Sequence, residues 1–363
     1  MRISSSVLRR PGAGIVSGAA ALALAATLLA AAPSAAQQVV SLRMHTHVPA
    51  VAGSFKSLTW WTKRVEKASN GRLKITLFGS NQLGGKAEDI YDQVKNGVVD
   101  LGWTLPGYKA GLFPASEVFE LPFIGGPAHI VSPAVNDYVK KWGKDEWSGV
   151  RPLIVHFAGL SVIHTKNRPI RVLADFKGMK LRTPSRISTY ALSAFGATPV
   201  PIPGLKITEV IMHNVVDGAI VPWSISLSIR TIDVVKYHAE TSLHGPILAM
   251  IMNKQSYAKL PADLKKAIDD NCTDAMAVEF GYRWEKDDAP GRAKAIKLKH
   301  EVYAIAPEEE ARWKAAAKPA YDEWSKEMTA KGLPAAEMIS DAENLVAKYR
   351  ALDKAGKLPR LAN

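Results

Sequence analysis

One arginine in this 363-residue chain is well placed to bind an anion. Arg182 lies in residues 177–184 (KGMKLRTP), at the end of a strand-like run and two residues before Pro184. In that position a guanidinium presents a rigid, two-pronged donor that matches the two oxygens of a carboxylate. About forty residues later the chain reads VDGAIVPW, and Val221 with Pro222 could cover the rest of such a ligand. The sequence therefore predicts a carboxylate-binding site centred on Arg182.

Other residues that could contact the ligand occur where loops should gather at strand ends. Each also has an ordinary structural explanation: the tryptophans could be core residues, the second arginine a solvated helix residue, and the histidine within an apolar run a structural one. The further candidates are Trp103, Trp223, Arg186, His164, His47 and Gln82.

The chain shows no recognisable catalytic machinery. His45 and His47 would face the same side of a strand and could share a metal, but the repeated histidines and aspartate of a metal-dependent hydrolase barrel are missing. Neither a Gly-x-Ser-x-Gly elbow nor a nucleotide-binding loop occurs, and Cys272 is the only cysteine. We therefore expect a protein that is not an enzyme and that holds no metal and no cofactor.

The N-terminus has the three parts of an export signal. Arg2, Arg9 and Arg10 precede an Ala/Leu-rich stretch at residues 19–32, and small residues follow at 34–36. We expect cleavage after Ala36 by the general secretory route, rather than by the twin-arginine route that Arg9 and Arg10 would suggest. No comparably apolar run follows, so the mature chain should be periplasmic and should not span the membrane.

The mature chain would carry a moderate positive charge. Export would remove three of 47 basic residues and none of the 34 acidic ones, which leaves 44 − 34 = +10. The lysines are scattered among acids, whereas nucleic-acid binding calls for a clustered basic stripe with interleaved aromatics. Nucleic acid is therefore not an expected partner.

Strands and helices alternate along the first half of the chain, which is typical of an α/β fold. After the apolar run at 247–252, a candidate crossing strand, the pattern becomes helical and charged, with Pro261, Pro290 and Pro307 as expected breaks. A short echo links VVD at 98–100 with VVD at 215–217, since each follows a helix end and precedes a loop with tryptophan. Two lobes of similar build facing each other across a cleft would explain the echo.

Taken in order, these segments resemble the solute-binding proteins of tripartite ATP-independent periplasmic (TRAP) transporters, the dicarboxylate-receptor-like DctP family. The most specific stretches are KGMKLRTP at 177–184, FGATPV at 195–200 and VDG at 216–218. GSNQLG at 79–84 and ELPF at 120–123 add weaker support. The resemblance extends over nearly the whole mature chain.

This resemblance implies a two-lobed periplasmic binding protein fold whose ligand cleft lies between the lobes, with crossing strands and a long linking helix. The lobes are expected at 37–160 plus 250–305 and at 161–249, and helices at 306–363 should pack on them. The receptor would deliver an organic acid to the small and large membrane subunits of a permease driven by an ion gradient. A sensor or an ATP-driven transporter as partner, and a periplasmic metal-dependent hydrolase, are the alternatives.

Arg182 matches the arginine with which members of the family grip the ligand's carboxylate. Compared with the sialic-acid-binding branch, the chain has Val221 in place of a pocket asparagine and Gly204 in place of a pocket aromatic residue. Val162 stands where that branch has a second arginine. We therefore expect a monocarboxylate with an apolar or aromatic body, such as a 2-oxo or hydroxy acid, gripped largely by Arg182 alone.

Overall fold

The computed structural model describes Leu8 and residues 38–361. The expected export segment, residues 1–36 with its cleavage site after Ala36, otherwise lies outside the described residues. Within the described part, eleven strands form two sheets. The strands are β1 Val40–Thr46, β2 Leu73–Phe78, β3 Leu101–Thr104, β4 Arg151–Phe157, β5 Val162–Thr165, β6 Lys180–Thr183, β7 Thr198–Pro201, β8 Gly218–Val221, β9 Tyr237–Glu240, β10 Ile247–Met252 and β11 Glu301–Ala304.

Twelve α-helices of the described residues connect and cover the strands. They are α1 Gly53–Ala68, α2 Ile90–Lys95, α3 Ala128–Trp142, α4 Arg186–Ala194, α5 Ile207–Met212, α6 Trp223–Ser228, α7 Lys254–Ala258, α8 Ala262–Asp269, α9 Asp274–Lys297, α10 Pro307–Ala316, α11 Lys318–Ala330 and α12 Ala335–Lys354. Helix α1 illustrates why these segments are helical and cover the sheets: its residues Leu58, Trp61 and Val65 recur at helical spacing and are all buried. None of the helices in the described part is both long and apolar enough to cross a membrane.

The sheets are mixed rather than purely parallel. In the first sheet, with order β2-β1-β3-β10-β4, the strand β1 runs parallel to β2 and β3, whereas β10 is antiparallel to both neighbours. In the second sheet, with order β11-β9-β5-β8-β6-β7, the strand β6 runs parallel to β7 and β8, and β5 is antiparallel to β8 and β9. Each sheet thus combines a parallel α/β unit with an antiparallel strand, which comes from a distant part of the chain in the first sheet (β10) and directly precedes the parallel unit in the second (β5).

The echo between 98–100 and 215–217 has a structural basis. Asp100 accepts a hydrogen bond from the backbone N–H of Arg43 within β1 (2.8 Å), and Asp217 accepts one from that of Lys180 at the start of β6 (2.7 Å). The Asp100 carbonyl also accepts from Asn253 N after β10, as the Asp217 carbonyl does from Lys166 N after β5. The two aspartates therefore tie together equivalent strands, and the two sheets share one build.

The long helix α9 departs from the sequence expectation. Pro290 was expected to mark a break, but it lies inside the 24-residue helix Asp274–Lys297. The helix packs on α1 and α3 beside the first sheet and on α6 beside the second. Tertiary packing along its whole length outweighs the local cost of a missing N–H donor at Pro290. A single helix therefore joins the two halves of the fold.

The C-terminal helices complete the hydrophobic cores of both sheets. Trp313 of α10 is fully buried with Phe176 and Phe195 against the second sheet. Trp324 of α11 and Tyr349 of α12 are buried in the core that includes Tyr138 of α3. These aromatic residues of the charged C-terminal segment are therefore packing residues, which agrees with the expectation that helices at 306–363 pack on the rest of the fold.

Candidate functional site

A cavity of about 60 Å³ lies where elements of the two sheets face each other. Since a buried water needs roughly 10–15 Å³ on this measure, the cavity has room for a few waters or one small organic molecule. The wall includes five residues that the sequence singled out. They are His47, Trp103, Arg182, Val221 and Pro222.

Arg182 is buried in this cavity wall, with only 3% of its surface exposed. Its Nε donates to the carbonyl oxygen of Ile202 at 2.7 Å, and Nη1 donates to that of Ile220 at 3.1 Å. Burial lowers the pKa of the guanidinium, partly offset by the Tyr108 hydroxyl beside it. Among the described residues, no Asp or Glu forms an ion pair with Arg182. The guanidinium is thus a buried cation held in place by neutral oxygens, and an anion would be its natural complement.

Tyr108 is a site residue that the sequence reasoning missed. It ends a short 3₁₀ turn, Pro106–Tyr108, after β3 of the first sheet, yet its hydroxyl accepts a hydrogen bond from Gly204 N of the second sheet at 3.0 Å. A phenol oxygen has two acceptor positions and one proton. Because the Gly204 N–H occupies an acceptor position, the Tyr108 hydroxyl keeps its proton for a further acceptor.

The position of Tyr108 is consistent with glycine at 204, where the sialic-acid-binding branch has a pocket aromatic residue. A Cβ placed on Gly204 would lie 3.3 Å from the Tyr108 hydroxyl, which is tighter than an ordinary contact. The ring of Tyr108 therefore approaches from the first sheet and takes space that a side chain at 204 would need. The only signal in the sequence was the location of Tyr108 in a loop after a strand end, where ligand-binding loops gather.

Aromatic rings form much of the remaining wall. The Trp103 ring is stacked with the His47 ring at 5.8 Å between centroids and with the Trp284 ring at 6.3 Å. Tyr108 meets His47 edge-on at 5.5 Å. Trp103 is fixed from behind, since its Nε1 donates to His156 Nε2 at 3.1 Å. The wall thus offers ring faces and edges with which a flat, apolar body can pack.

His47 is neutral at physiological pH. Burial, together with the smaller effects of the nearby His45 and Arg182, lowers its pKa to about 4. A neutral imidazole next to Arg182 cannot serve as a second cationic grip for a carboxylate. His45 points away to a different contact, because its Nδ1 bonds to the Gln93 side chain at 2.7 Å.

The structure places four predicted site residues outside this cavity wall. Trp223 Nε1 donates to Glu240 at 3.1 Å, and its ring packs against His164 at 4.9 Å rather than into the cavity. Arg186 forms ion pairs with the buried Glu117 and with Glu327. Gln82 is exposed on the surface of the first sheet's loops.

His164 belongs to a chain of three histidines behind the cavity. Its Nε2 donates to the Val221 carbonyl at 3.1 Å, so its Nδ1 must accept the proton of His238 Nδ1 at 2.7 Å. His238 Nε2 must then accept from His300 Nδ1 at 3.1 Å. With neutral rings, every contact in this order pairs one donor with one acceptor, and burial favours the neutral form of both His164 and His238.

The buried histidines predict that stability falls as the pH is lowered. Burial lowers the pKa of His164 to about 3 and that of His238 to about 2. Below about pH 6.5 the unfolded chain therefore binds protons that the folded chain does not, and stability present above that pH is lost as the pH falls. Glu117 and Asp288 act in the opposite direction between pH 7 and about 4.5, since burial raises the pKa of each to about 7.

The contribution of these histidines to the pH dependence of stability can be isolated by comparing how the melting temperature changes with pH in different variants. In His238→Gln, the loss of melting temperature between pH 7 and pH 5 should be smaller than in the wild type, because one group that titrates only in the unfolded state is gone. The exposed His213 provides the control, and His213→Gln should keep the wild-type slope. Equal slopes for His238→Gln and the wild type would contradict the neutral histidine chain.

Comparisons with known proteins agree with this architecture. The family model described as bacterial extracellular solute-binding protein, family 7 (DctP), matches residues 45–327. The C4-dicarboxylate-binding periplasmic protein DctP of Rhodobacter capsulatus is 25% identical over 333 residues, which covers 91% of this chain and 98% of that protein.

Two solved structures are similar over most of the chain. A TRAP solute-binding protein from Rhodoferax ferrireducens, in complex with copurified benzoate, is 34% identical with a TM-score of 0.85, and the match covers 87% of this chain and all of that one. A marine-metagenome TRAP solute-binding protein specific for aromatic acid ligands, with 3-hydroxybenzoate, is 34% identical with a TM-score of 0.84. That match covers 86% of this chain and 99% of the other.

Proposed function

The chain belongs to the bacterial extracellular solute-binding proteins of family 7, and we propose that it is a TRAP receptor for a small aromatic monocarboxylate. The observation that carries the proposal is Arg182, a buried guanidinium that has no acidic partner among the described residues and lies in an aromatic cavity. A buried charge without a partner is costly, and a ligand carboxylate would remove that cost.

The carboxylate would be held from both sheets. Arg182 of β6 would donate to it through N–H groups not used for Ile202 and Ile220, and Tyr108 of the first sheet would donate its hydroxyl proton. A ligand that touches residues of both halves stabilises the closed arrangement, because those contacts exist together only there. The lobes would correspond to 37–160 plus 250–305 and to 161–249.

The remainder of the cavity favours an aromatic body. Among the described residues that line it, Arg182 is the only Lys or Arg, and the other walls are largely apolar. A second carboxylate would therefore be buried without a cation, at a cost of several kcal/mol. Val221 and Pro222 would cover the ring from the second sheet, and Trp103 with His47 would cover it from the first. The two similar receptors with benzoate and 3-hydroxybenzoate support this ligand class.

Trp223, His164 and Arg186 would act behind the ligand rather than on it. His164 holds the carbonyl of the lining residue Val221, and Trp223 packs on His164. Arg186 ties the start of α4 to the loop that carries Glu117. In this proposal the protein is exported by residues 1–36, cleaved after Ala36, and works in the periplasm with the small and large membrane subunits of a TRAP permease, without a cofactor or metal.

A ligand series tests the proposed class. Protein stripped of copurified ligand by unfolding and refolding should gain several degrees of melting temperature with benzoate or phenylacetate, because a ligand that binds only the native state stabilises it. Succinate and isophthalate should give shifts of less than about one degree under the same conditions. A larger shift with the dicarboxylates, or none with any monocarboxylate, would contradict the proposal.

A further inference from the structure

Three polar atoms in the cavity wall are buried and have no hydrogen-bond partner within the described part of the chain. They are Nδ1 of His47, Oγ of Ser161 and Nε1 of Trp284. A buried polar atom without a partner costs free energy, and native proteins keep few of them. Three around one cavity indicate that something with matching hydrogen-bonding groups is bound there.

These atoms reach the cavity from elements other than β6, the strand that carries Arg182. His47 follows β1 of the first sheet, and Trp284 projects from α9, which stacks its ring on Trp103 of that sheet. Ser161 lies in the crossing segment between β4 and β5, where its backbone N–H donates to His244. Arg182 belongs to the second sheet. A ligand whose carboxylate meets Arg182 would therefore need a second polar group to satisfy these atoms as well.

The hydrogen-bonding chemistry of the three atoms limits which ligand group can bind them. The Trp284 indole can only donate, the Ser161 hydroxyl can donate and accept, and the neutral His47 can present a donor or an acceptor. A second carboxylate would be a buried anion without a cation, and a methyl group would leave all three atoms unsatisfied. A ligand hydroxyl both accepts and donates, so it can satisfy the indole and one of the other two atoms together.

We propose that His47, Ser161 and Trp284 form a subsite for a hydroxyl group on the ring of the ligand, so that the receptor selects hydroxylated aromatic acids over unsubstituted ones. This inference rests on the proposed function. Probe ligands with the hydroxyl on ring carbon 3 or 4 keep it apart from the carboxylate, so that its contacts can be distinguished from those of Arg182. Shape alone cannot produce this preference, since a methyl group has nearly the size of a hydroxyl.

Isothermal titration of stripped protein tests the subsite with matched ligands. We expect 3- or 4-hydroxybenzoate to bind about ten- to a hundred-fold more tightly than benzoate, the range that corresponds to satisfying one or two buried polar groups. The corresponding methylbenzoate should bind no more tightly than benzoate. If both hydroxybenzoates bind no better than benzoate, or if the methyl isostere gains as much, the subsite does not exist.

Variants connect the preference to the three residues. Ser161→Ala and Trp284→Phe should each reduce the ratio of hydroxybenzoate to benzoate affinity by about ten-fold. Ser148→Ala, at a surface position away from the cavity, should leave the ratio unchanged. A ratio that persists in both subsite variants would overturn the assignment.

The same titrations separate failure of the subsite from failure of the proposed function. If benzoate binds and depends on Arg182 but no hydroxyl preference appears, only the subsite is wrong. If no aromatic acid binds at all, the receptor proposal fails as well. A variant that does not fold is recognised by its far-ultraviolet circular dichroism, and His47→Phe then serves as the third independent probe of the ratio.

Discussion

Replacing Arg182 by alanine is expected to abolish most of the receptor's affinity for an aromatic acid. Truncating one partner of a buried, hydrogen-bonded charge pair costs about 2–5 kcal/mol, because the other charge is left buried and unpaired. That corresponds to roughly a thirty- to several-thousand-fold increase in the dissociation constant for benzoate. Isothermal titration measures it directly.

Lysine at position 182 should recover only part of the lost affinity. It would restore the charge but not the planar fork, and it could not keep both backbone bonds to Ile202 and Ile220 while also pairing with a carboxylate. Arg312→Ala is the matched control, since the Arg312 side chain is 71% exposed and pairs with Glu309 of its own helix. Wild-type affinity in Arg182→Ala would refute the site.

The second large effect is expected at Gly218. This glycine lies in β8 opposite Thr165 of the antiparallel β5 and beside Leu181 of β6. A Cβ at this position would overlap the carbonyl oxygen of His164 and lie 3.0 Å from Thr165 Cα. Both are backbone atoms that cannot move aside as a flexible side chain can. Gly218→Ala should therefore destabilise the fold by about 3 kcal/mol, the upper part of the range for overpacking.

Chemical denaturation with a matched control checks this expectation. Thr198→Ala, at an exposed position in the edge strand β7 of the same sheet, should change the unfolding free energy by less than about 0.5 kcal/mol. Gly218→Ala should also weaken ligand binding, since β8 supplies the Ile220 carbonyl that holds Arg182. A Gly218→Ala protein as stable as the wild type would mean that β5 and β8 can separate at little cost.

The sequence was informative at positions where the local residue pattern and the tertiary packing favour the same structure. The apolar run at 247–252 is β10 in the structure, with every residue buried. Gly218, the glycine of the VDG motif, is explained by the close approach of β5 to β8 at this position. Arg182 lies at a strand end, as its position before Pro184 predicted, and its side chain is in the cavity wall.

The sequence was less informative where side-chain direction depends on a change of local geometry. The chain turns from β8 into a helix at Trp223, so the ring direction is set by the first helical turn and not by strand alternation. The ring therefore meets His238 at 4.8 Å instead of the cavity. Tyr108 and Trp284 reach the cavity from a 3₁₀ turn and a distant helix, and no local pattern reports such long-range placement.

The way Arg182 is held also bears on how receptors of this kind diversify. Both of its structural hydrogen bonds end on main-chain oxygens, those of Ile202 and Ile220, and every amino acid carries such an oxygen. Substitutions at these positions can reshape the surrounding walls without removing the acceptors that orient the guanidinium. During evolution the residues that contact the body of the ligand can therefore change while Arg182 and its carboxylate contact are kept. A receptor for a different acid then requires new wall residues but not a new binding site.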